Sequence, residues 1–281
     1  GLHCFIKDLD PQMNIALIIL AAGKGTRMQS ELPKVLHKVA GAPMLVHAMR
    51  AGRALEPKRT IIVAGHGFEA VSAAARTEDP NVEFALQETQ LGTGHAVDQA
   101  RAVLGDFDGT VLVLYGDCPF IQTRTLEELI ATLNDSAVSV LGFEAKDPAL
   151  YGRLITDGDK LKRIVEFKDA SPAERAVTLC NSGVMTAPAH LLFDLLSEID
   201  TDNASGELYL TDVVGKAVAR GLHCAAVRCA ERETLGVNSR VELMQAEKEF
   251  QNLRRTEALE DGVTMPAPET VHFSYDTVIG R

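Results

Sequence analysis

The sequence has no CxxC pair, and its five cysteines, Cys4, Cys118, Cys180, Cys224 and Cys229, are scattered. An odd, dispersed set argues against a disulfide framework or a zinc site and for reduced thiols in the cytosol. Long apolar runs are also lacking. The longest, Ile15 to Ala22, is far too short to span a bilayer. No basic-then-apolar signal opens the chain. Positive charge is scarce: 28 Lys and Arg face 39 Asp and Glu, a formal net charge of -11. That balance disfavours nucleic acid or an anionic membrane as partner, while a few local cations can still dominate one pocket. The 281 residues, 46% hydrophobic and 24% charged, suffice for one large domain or two modest ones with a real core. Residues 1–12 precede Met13 and are expected to be a leader, tag or extension.

The patterning is that of an α/β protein. Ile15–Ala21 is a continuous apolar run ending at Gly23, which suits a strand buried on both faces. Met44–Leu55 has helical spacing, Thr60–Ala64 reads as a second strand, Phe68–Arg76 as a helix and Val82–Leu86 as a third strand. Gly94–Leu104 reads as one helix and Thr110–Tyr115 as a fourth strand. Thr125 and Glu128 have capping-box spacing and predict the start of the next helix, followed by a strand over Val138–Phe143. Arg153–Thr156 and Leu161–Phe167 predict a hairpin about Gly158. A strand over Thr178–Thr186, helices over Ala189–Ile199 and Leu208–Arg220, a strand over Cys224–Arg228 and a long helix over Ser239–Leu259 complete the pattern.

Strands alternating with helices predict a Rossmann-like, mostly parallel mixed sheet with helices on both faces. Ligands then sit beyond the carboxyl ends of the strands. One continuous domain is expected over 13–260, with a nucleotide half over about 13–146 and a substrate half over about 147–260, because no flexible linker separates them.

Three constellations carry the candidate chemistry. The string Leu20-Ala21-Ala22-Gly23-Lys24-Gly25-Thr26-Arg27-Met28, with Pro33-Lys34 shortly after, lets backbone N–H groups cradle phosphates while Arg27 and Lys34 add positive charge. A plain turn with surface cations is the alternative for a shorter Gly-Lys-Gly. The P-loop pattern GxxxxGK[ST] is missing, and Met28 stands where a dinucleotide fingerprint needs its third small residue. Gly65-His66-Gly67-Phe68-Glu69-Ala70 does fit G-x-G-x-x-A, a short pattern that arises by chance and would suit a nicotinamide or flavin site. The second constellation is Gln87 with Gln90-Leu91-Gly92-Thr93, where an amide can read a base edge and the loop can offer N–H groups. A polar loop with an N-cap is its alternative. The third is Tyr115-Gly116-Asp117 directly after a strand; Asp117 suits Mg²⁺ beside a triphosphate or an ordinary turn. His37, His47, His66 and His95 lack metal-ligand spacing and are expected to be packed or hydrogen-bonded.

These strings, with Leu32–His37, Gln90–Ala96, Tyr151–Arg153, Ile164–Glu166, Asn181–Gly183, Gly206–Asp212 and Gly236–Arg240, resemble the uridylyltransferase half of the bacterial bifunctional N-acetylglucosamine-1-phosphate uridylyltransferase/glucosamine-1-phosphate acetyltransferase family. The resemblance runs from about Met13 to the end. It implies a cytoplasmic, Mg²⁺-dependent transfer of UMP from UTP to N-acetylglucosamine-1-phosphate. It further implies that Leu20, Ala21, Ala22, Gly23, Lys34, Gln87, Gly92, Thr93, Tyr115, Gly116 and Asp117 bind the nucleotide, and that Arg27 and Lys34 act on the triphosphate. Gly152, Glu166, Asn181 and Asn238 would bind the sugar, and Asp117 and Asn238 the metal. The family's second half is a left-handed β-helix that carries acetyl transfer and trimerisation. Residues 261–281 are expected to be its truncated start, so a monomer without acetyltransferase activity is expected. The rivals are another base or sugar-1-phosphate, and a non-catalytic nucleotide-binding subunit.

Overall fold

The computed structural model describes residues 14–280, so the expectation for residues 1–12 lies outside the described residues. β1 (Ile15–Ala21) is buried along its whole length. A 3-10 turn over Thr26–Met28 and another over Lys34–Leu36 lead into a two-strand ladder, β2 (Lys38–Val39) and β3 (Ala42–Pro43). Then come α1 (Met44–Arg53), β4 (Arg59–Ala64), α2 (Phe68–Glu78), β5 (Glu83–Leu86), α3 (Thr93–Asp98), α4 (Arg101–Leu104) and β6 (Thr110–Tyr115). α5 (Thr123–Ala131), β7 (Val138–Glu144), β8 (Arg153–Asp157), β9 (Lys160–Val165), α6 (Pro172–Arg175) and β10 (Leu179–Pro188) follow. The chain continues through α7 (Ala189–Leu196), α8 (Asp212–Ala219), β11 (Cys224–Cys229) and α9 (Arg240–Glu260).

Nine strands form one sheet in the order β5-β4-β1-β6-β10-β7-β11-β9-β8. The first four run parallel. β10 is antiparallel to both β6 and β7, β11 is parallel to β7, and β9 is antiparallel to β8 and β11. The expected mixed sheet, parallel in its first half, is therefore present. Alternate residues of β1 feed opposite layers, as the two-residue period of a strand requires. Ala16, Ile18 and Leu20 pack with residues of α3, α4, α7 and α8, while Leu17, Ile19 and Ala21 pack with residues of α1, α2 and α5. A smaller cluster of Val39, Ala40, Met44, Val237 and Ala246 joins the β2–β3 ladder to α9.

Three local expectations are corrected. The expected helix over Gly94–Leu104 is broken at Gln99 and Ala100 into α3 and α4. Thr125 does not cap α5, which begins two residues earlier; its hydroxyl instead donates to the buried Glu233 carboxylate at 2.7 Å. The helix expected from Leu208 begins only at Asp212, because the Leu208 and Leu210 amides donate to Leu91 O and the Thr93 hydroxyl. Residues 262–280 contain no strand, only a 3-10 turn over Pro268–Thr270. They lie back on α9: Gln251 donates to Phe273 O at 2.7 Å and accepts from Phe273 N at 2.7 Å, and Tyr275 N donates to Ala40 O at 2.9 Å. No helix among the described residues is long and apolar enough to cross a membrane.

Candidate nucleotide-binding and sugar-side sites

β1 and β6 are neighbours, but the chain runs from β1 to β4 in one direction along the sheet and from β6 to β7 in the other, so a crevice opens beyond their carboxyl ends. A cavity of about 270 Å³ fills it. Its walls include Leu20, Ala21, Ala22, Gly23, Lys34, Gln87, Gly92, Thr93, Tyr115 and Asp117, which come from four separate stretches of sequence. Gly116 lies beneath rather than in the wall: its N–H donates to Leu20 O at 2.9 Å, and a methyl there would stand 3.2 Å from Val35. Arg27 is exposed on the Thr26–Met28 turn, outside the cavity lining, with no hydrogen bond or ion pair among the described residues. Gln90 and Glu207, which stand in the quoted strings without an individual role, also line the cavity. Gln90 donates to Ala22 O and so ties the second loop to the first.

Glycine is required where these loops approach other backbone. Gly92 sits at φ 115°, and a methyl there would lie 2.5 Å from Leu208 O. Gly94 N donates to the same carbonyl at 2.8 Å, so the segment before α8 is stitched to the second loop. The Gln87 amide, buried, donates to His95 Nδ1 at 3.0 Å and to Gly92 O at 3.3 Å.

Lys34 is the centre of the charged cluster. Its ammonium donates to Asp117 Oδ2 at 2.6 Å and to Asn238 Oδ1 at 2.9 Å, across 83 and 204 residues of sequence. Asn238 is delivered by backbone: Val237 N donates to Asp117 O at 3.0 Å, and Ser239 caps α9 by accepting from Glu242 N. Among the described residues no group of three or more His, Cys, Asp or Glu could hold a metal ion. The two oxygens that meet on Lys34 nevertheless fit a hard cation that keeps several waters and borrows phosphate oxygens.

A second group lies across Tyr115. β10 bulges between Asn181 and Met185. Gly183, at φ 90°, presses on Tyr115, where a methyl would come within 2.6 Å of the ring, and Gly183 N donates to Asn181 Oδ1 at 2.9 Å. A methyl on Gly152 would lie 3.4 Å from both Glu166 carboxylate oxygens and 3.6 Å from Asn181 Cβ, so these three residues meet. Thr211 donates to Glu166 at 3.1 Å. Burial pushes the Glu166 carboxyl above its ordinary range, with Asp212 and Asp169 adding to the rise and the Thr211 bond opposing it. The Tyr115 phenol is pushed up by burial and by the Asp117 charge. Arg153, only 2% exposed, has no carboxylate partner among the described residues; it donates to the carbonyls of Pro148, Ala149, Tyr151 and Arg175 and so fixes the loop before Gly152. Its type and position give no sign of this in sequence.

The Gly65 loop is filled by the protein itself. Gly67, at φ 70°, would collide through a methyl with the Pro33 ring, and Gly65 would come 2.7 Å from Gln87 O. These glycines therefore serve close packing, which leaves no physical basis for a dinucleotide site there. Of the histidines, His47 donates to Val39 O at 2.8 Å, His95 accepts from Gln87, His37 is buried, and His66 is exposed, contrary to expectation.

Residues 17–182, more than half of the chain, match the MobA-like NTP transferase domain family. The chain belongs to this family. It is 59% identical over 269 residues to the bifunctional protein GlmU of Roseobacter denitrificans and 60% identical over 269 residues to that of Ruegeria pomeroyi. Each alignment covers 96% of this chain and 60% of the relative, so the chain spans about three fifths of the curated relatives' length. The resemblance expected from the motifs is thus found across nearly the whole chain. Two solved structures share the NTP transferase fold at low identity. Apo UDP-glucose pyrophosphorylase has a TM-score of 0.70 at 17% identity, covering 86% of this chain and 100% of that one. The inositol-1-phosphate CTP transferase from T. maritima has a TM-score of 0.64 at 17% identity, covering 84% and 97%.

Proposed function

We propose that the chain transfers the uridylyl group of UTP to N-acetylglucosamine-1-phosphate, giving UDP-N-acetylglucosamine and pyrophosphate. What supports this most is the junction at Tyr115, where the cavity beyond β1 and β6 abuts the Gly152–Glu166–Asn181 group. A nucleotide and a sugar phosphate bound on the two sides would present their phosphates to each other.

In this reading the loop from Leu20 to Gly23, with Gln87, Gly92, Thr93, Tyr115 and the supporting Gly116, holds the nucleotide. Gly152, Glu166 and Asn181 hold the sugar, with Asn238 at its edge. A phosphate monoester has a second pKa of about 6 and arrives largely dianionic. One of its oxygens forms the new bond to the α-phosphorus, and the bond to the oxygen bridging α and β breaks in line, so pyrophosphate leaves with that electron pair. No protein base is needed. Lys34 and Arg27 oppose the gathering negative charge, and the loops fix the angle of approach. Mg²⁺, held by Asp117 and Asn238, would supply further neutralisation of phosphate charge. A cytoplasmic setting accords with the free Cys118, Cys180, Cys224 and Cys229 thiols. Residues 261–281 are read as the approach to a β-helix, on the strength of the exposed Val278 and Ile279; a strand ladder starting there in a longer chain is the check.

The deciding experiment is pyrophosphate release from UTP and N-acetylglucosamine-1-phosphate, with and without Mg²⁺. CTP, dTTP, GTP and glucose-1-phosphate run in parallel. Release that is fastest with another pair would reassign the substrates, and none with any pair would leave a binding subunit.

A further inference from the structure

We propose that Lys34 keeps a divalent cation off Asp117 and Asn238 until a triphosphate draws its ammonium away, so that metal and nucleotide enter together. The inference rests on the nucleotidyl-transfer reading above and deepens it. The Lys34 ammonium contacts Asp117 Oδ2 at 2.6 Å and Asn238 Oδ1 at 2.9 Å. Asp117 and Asn238 are the two residues that would serve the cation, and a second positive ion held between them would face the ammonium at close range. The pair is well shielded from water, with Lys34 and Asp117 side chains 13% and 17% exposed, so repulsion between the two cations is poorly screened.

Lys34 also has somewhere to go. An ammonium has three N–H donors, and two are engaged here. A methyl on Gly23 would stand 3.9 Å from Lys34 Nζ, so the ammonium already lies beside the loop that would cradle the phosphates. The stem reaches this position because Gly25, at φ 61°, has no side chain: a methyl there would come 2.6 Å from Lys34 Cβ. A polyphosphate in the cavity competes for the ammonium with several oxygens against one carboxylate. When the ammonium turns to it, the vacated oxygens and the phosphate together offer the cation the mixed shell that Mg²⁺ prefers.

The test reads metal binding rather than turnover. Mn²⁺ is titrated into the nucleotide-free chain, and the free ion is followed by electron paramagnetic resonance. Lys34→Met keeps the stem and removes the charge; it is expected to bind Mn²⁺ at least about tenfold more tightly than the unaltered chain. Lys34→Gln, with the same expectation, serves if the first variant does not fold. Adding Asp117→Ala to either should abolish the gain. Equal Mn²⁺ affinity in the variant and the unaltered chain, or a gain that survives loss of Asp117, overturns the proposal. In EDTA, Lys34→Met should weaken UTP binding by about tenfold or more, and unchanged UTP affinity overturns the second half of the inference. Pyrophosphate release by the unaltered chain separately decides the underlying reading.

Discussion

The two ends of the sheet solve different problems. At the parallel end, β5, β4, β1 and β6 carry loops that approach other backbone closely, and glycines at 65 and 92 allow it. At the mixed end, the group proposed to hold the sugar is made of side chains: Glu166 against Gly152, Asn181 on a bulge, and a buried Arg153 holding carbonyls. A site built from backbone leaves contiguous strings of small residues, whereas one built from side chains leaves single polar letters far apart. Arg27 belongs to the parallel end yet stands in solvent with no partner among the described residues, so the fold does not depend on its side chain.

The largest expected effect sharpens that separation. Arg27→Ala and Asp117→Ala should each lower kcat for pyrophosphate release by about 10²-fold or more. The urea midpoint of Arg27→Ala should stay within error of the unaltered chain. A near-normal kcat at ordinary Mg²⁺ would remove Asp117 from the metal, and a change confined to KM would reduce Arg27 to substrate binding. Next in size, Arg153→Met should cost about 3 kcal/mol of stability in urea titration, since buried carbonyls lose their donor. A loss below about 1 kcal/mol would mean that water replaces the guanidinium. At the other end, Gly67→Ala should cost about 2 kcal/mol through its left-handed backbone and the Pro33 ring. If it is tolerated, backbone approach is less demanding there than the geometry implies.

Glu166→Gln should raise KM for the sugar phosphate about tenfold, with KM for UTP within about twofold. Equal rises for both substrates would erase the distinction between the ends. The smallest effect is on pH dependence. The raised Glu166 carboxyl means that the native chain binds more protons than the unfolded one between the ordinary glutamate pKa and the raised value. Stability therefore falls as pH rises through that window, and Glu166→Gln should flatten part of the fall. Asp212 is raised in the same direction by burial and Asp200, so some slope should persist. A steeper slope in the variant would contradict the sign.

Much of the parallel end was legible in sequence because local physics decides it. The Ile15–Ala21 run is β1 to the residue, and the strand ends before Gly23 and Asp117 fall in one cavity. Helix boundaries were less legible where tertiary partners override local spacing. Thr125 had a capping signature but spends its hydroxyl on Glu233, and Leu208 looked helical but gives its amide to Leu91. The meeting of Lys34 with Asn238 could not be read by spacing, because it depends on Val237 reaching Asp117 across the fold. Arg153 was quoted only as part of a string, since a fully internal arginine without an acidic mate looks like any surface arginine.

The segment matched to the family stops at residue 182, inside the β10 bulge. Dissecting the gene there would sever the strand that presses on Tyr115 and would discard Leu208, Thr211 and Asn238. The smallest piece worth expressing therefore runs at least through the cap of α9, and trimming to residues 17–182 would yield a fragment with a split strand and without Thr211 and Asn238.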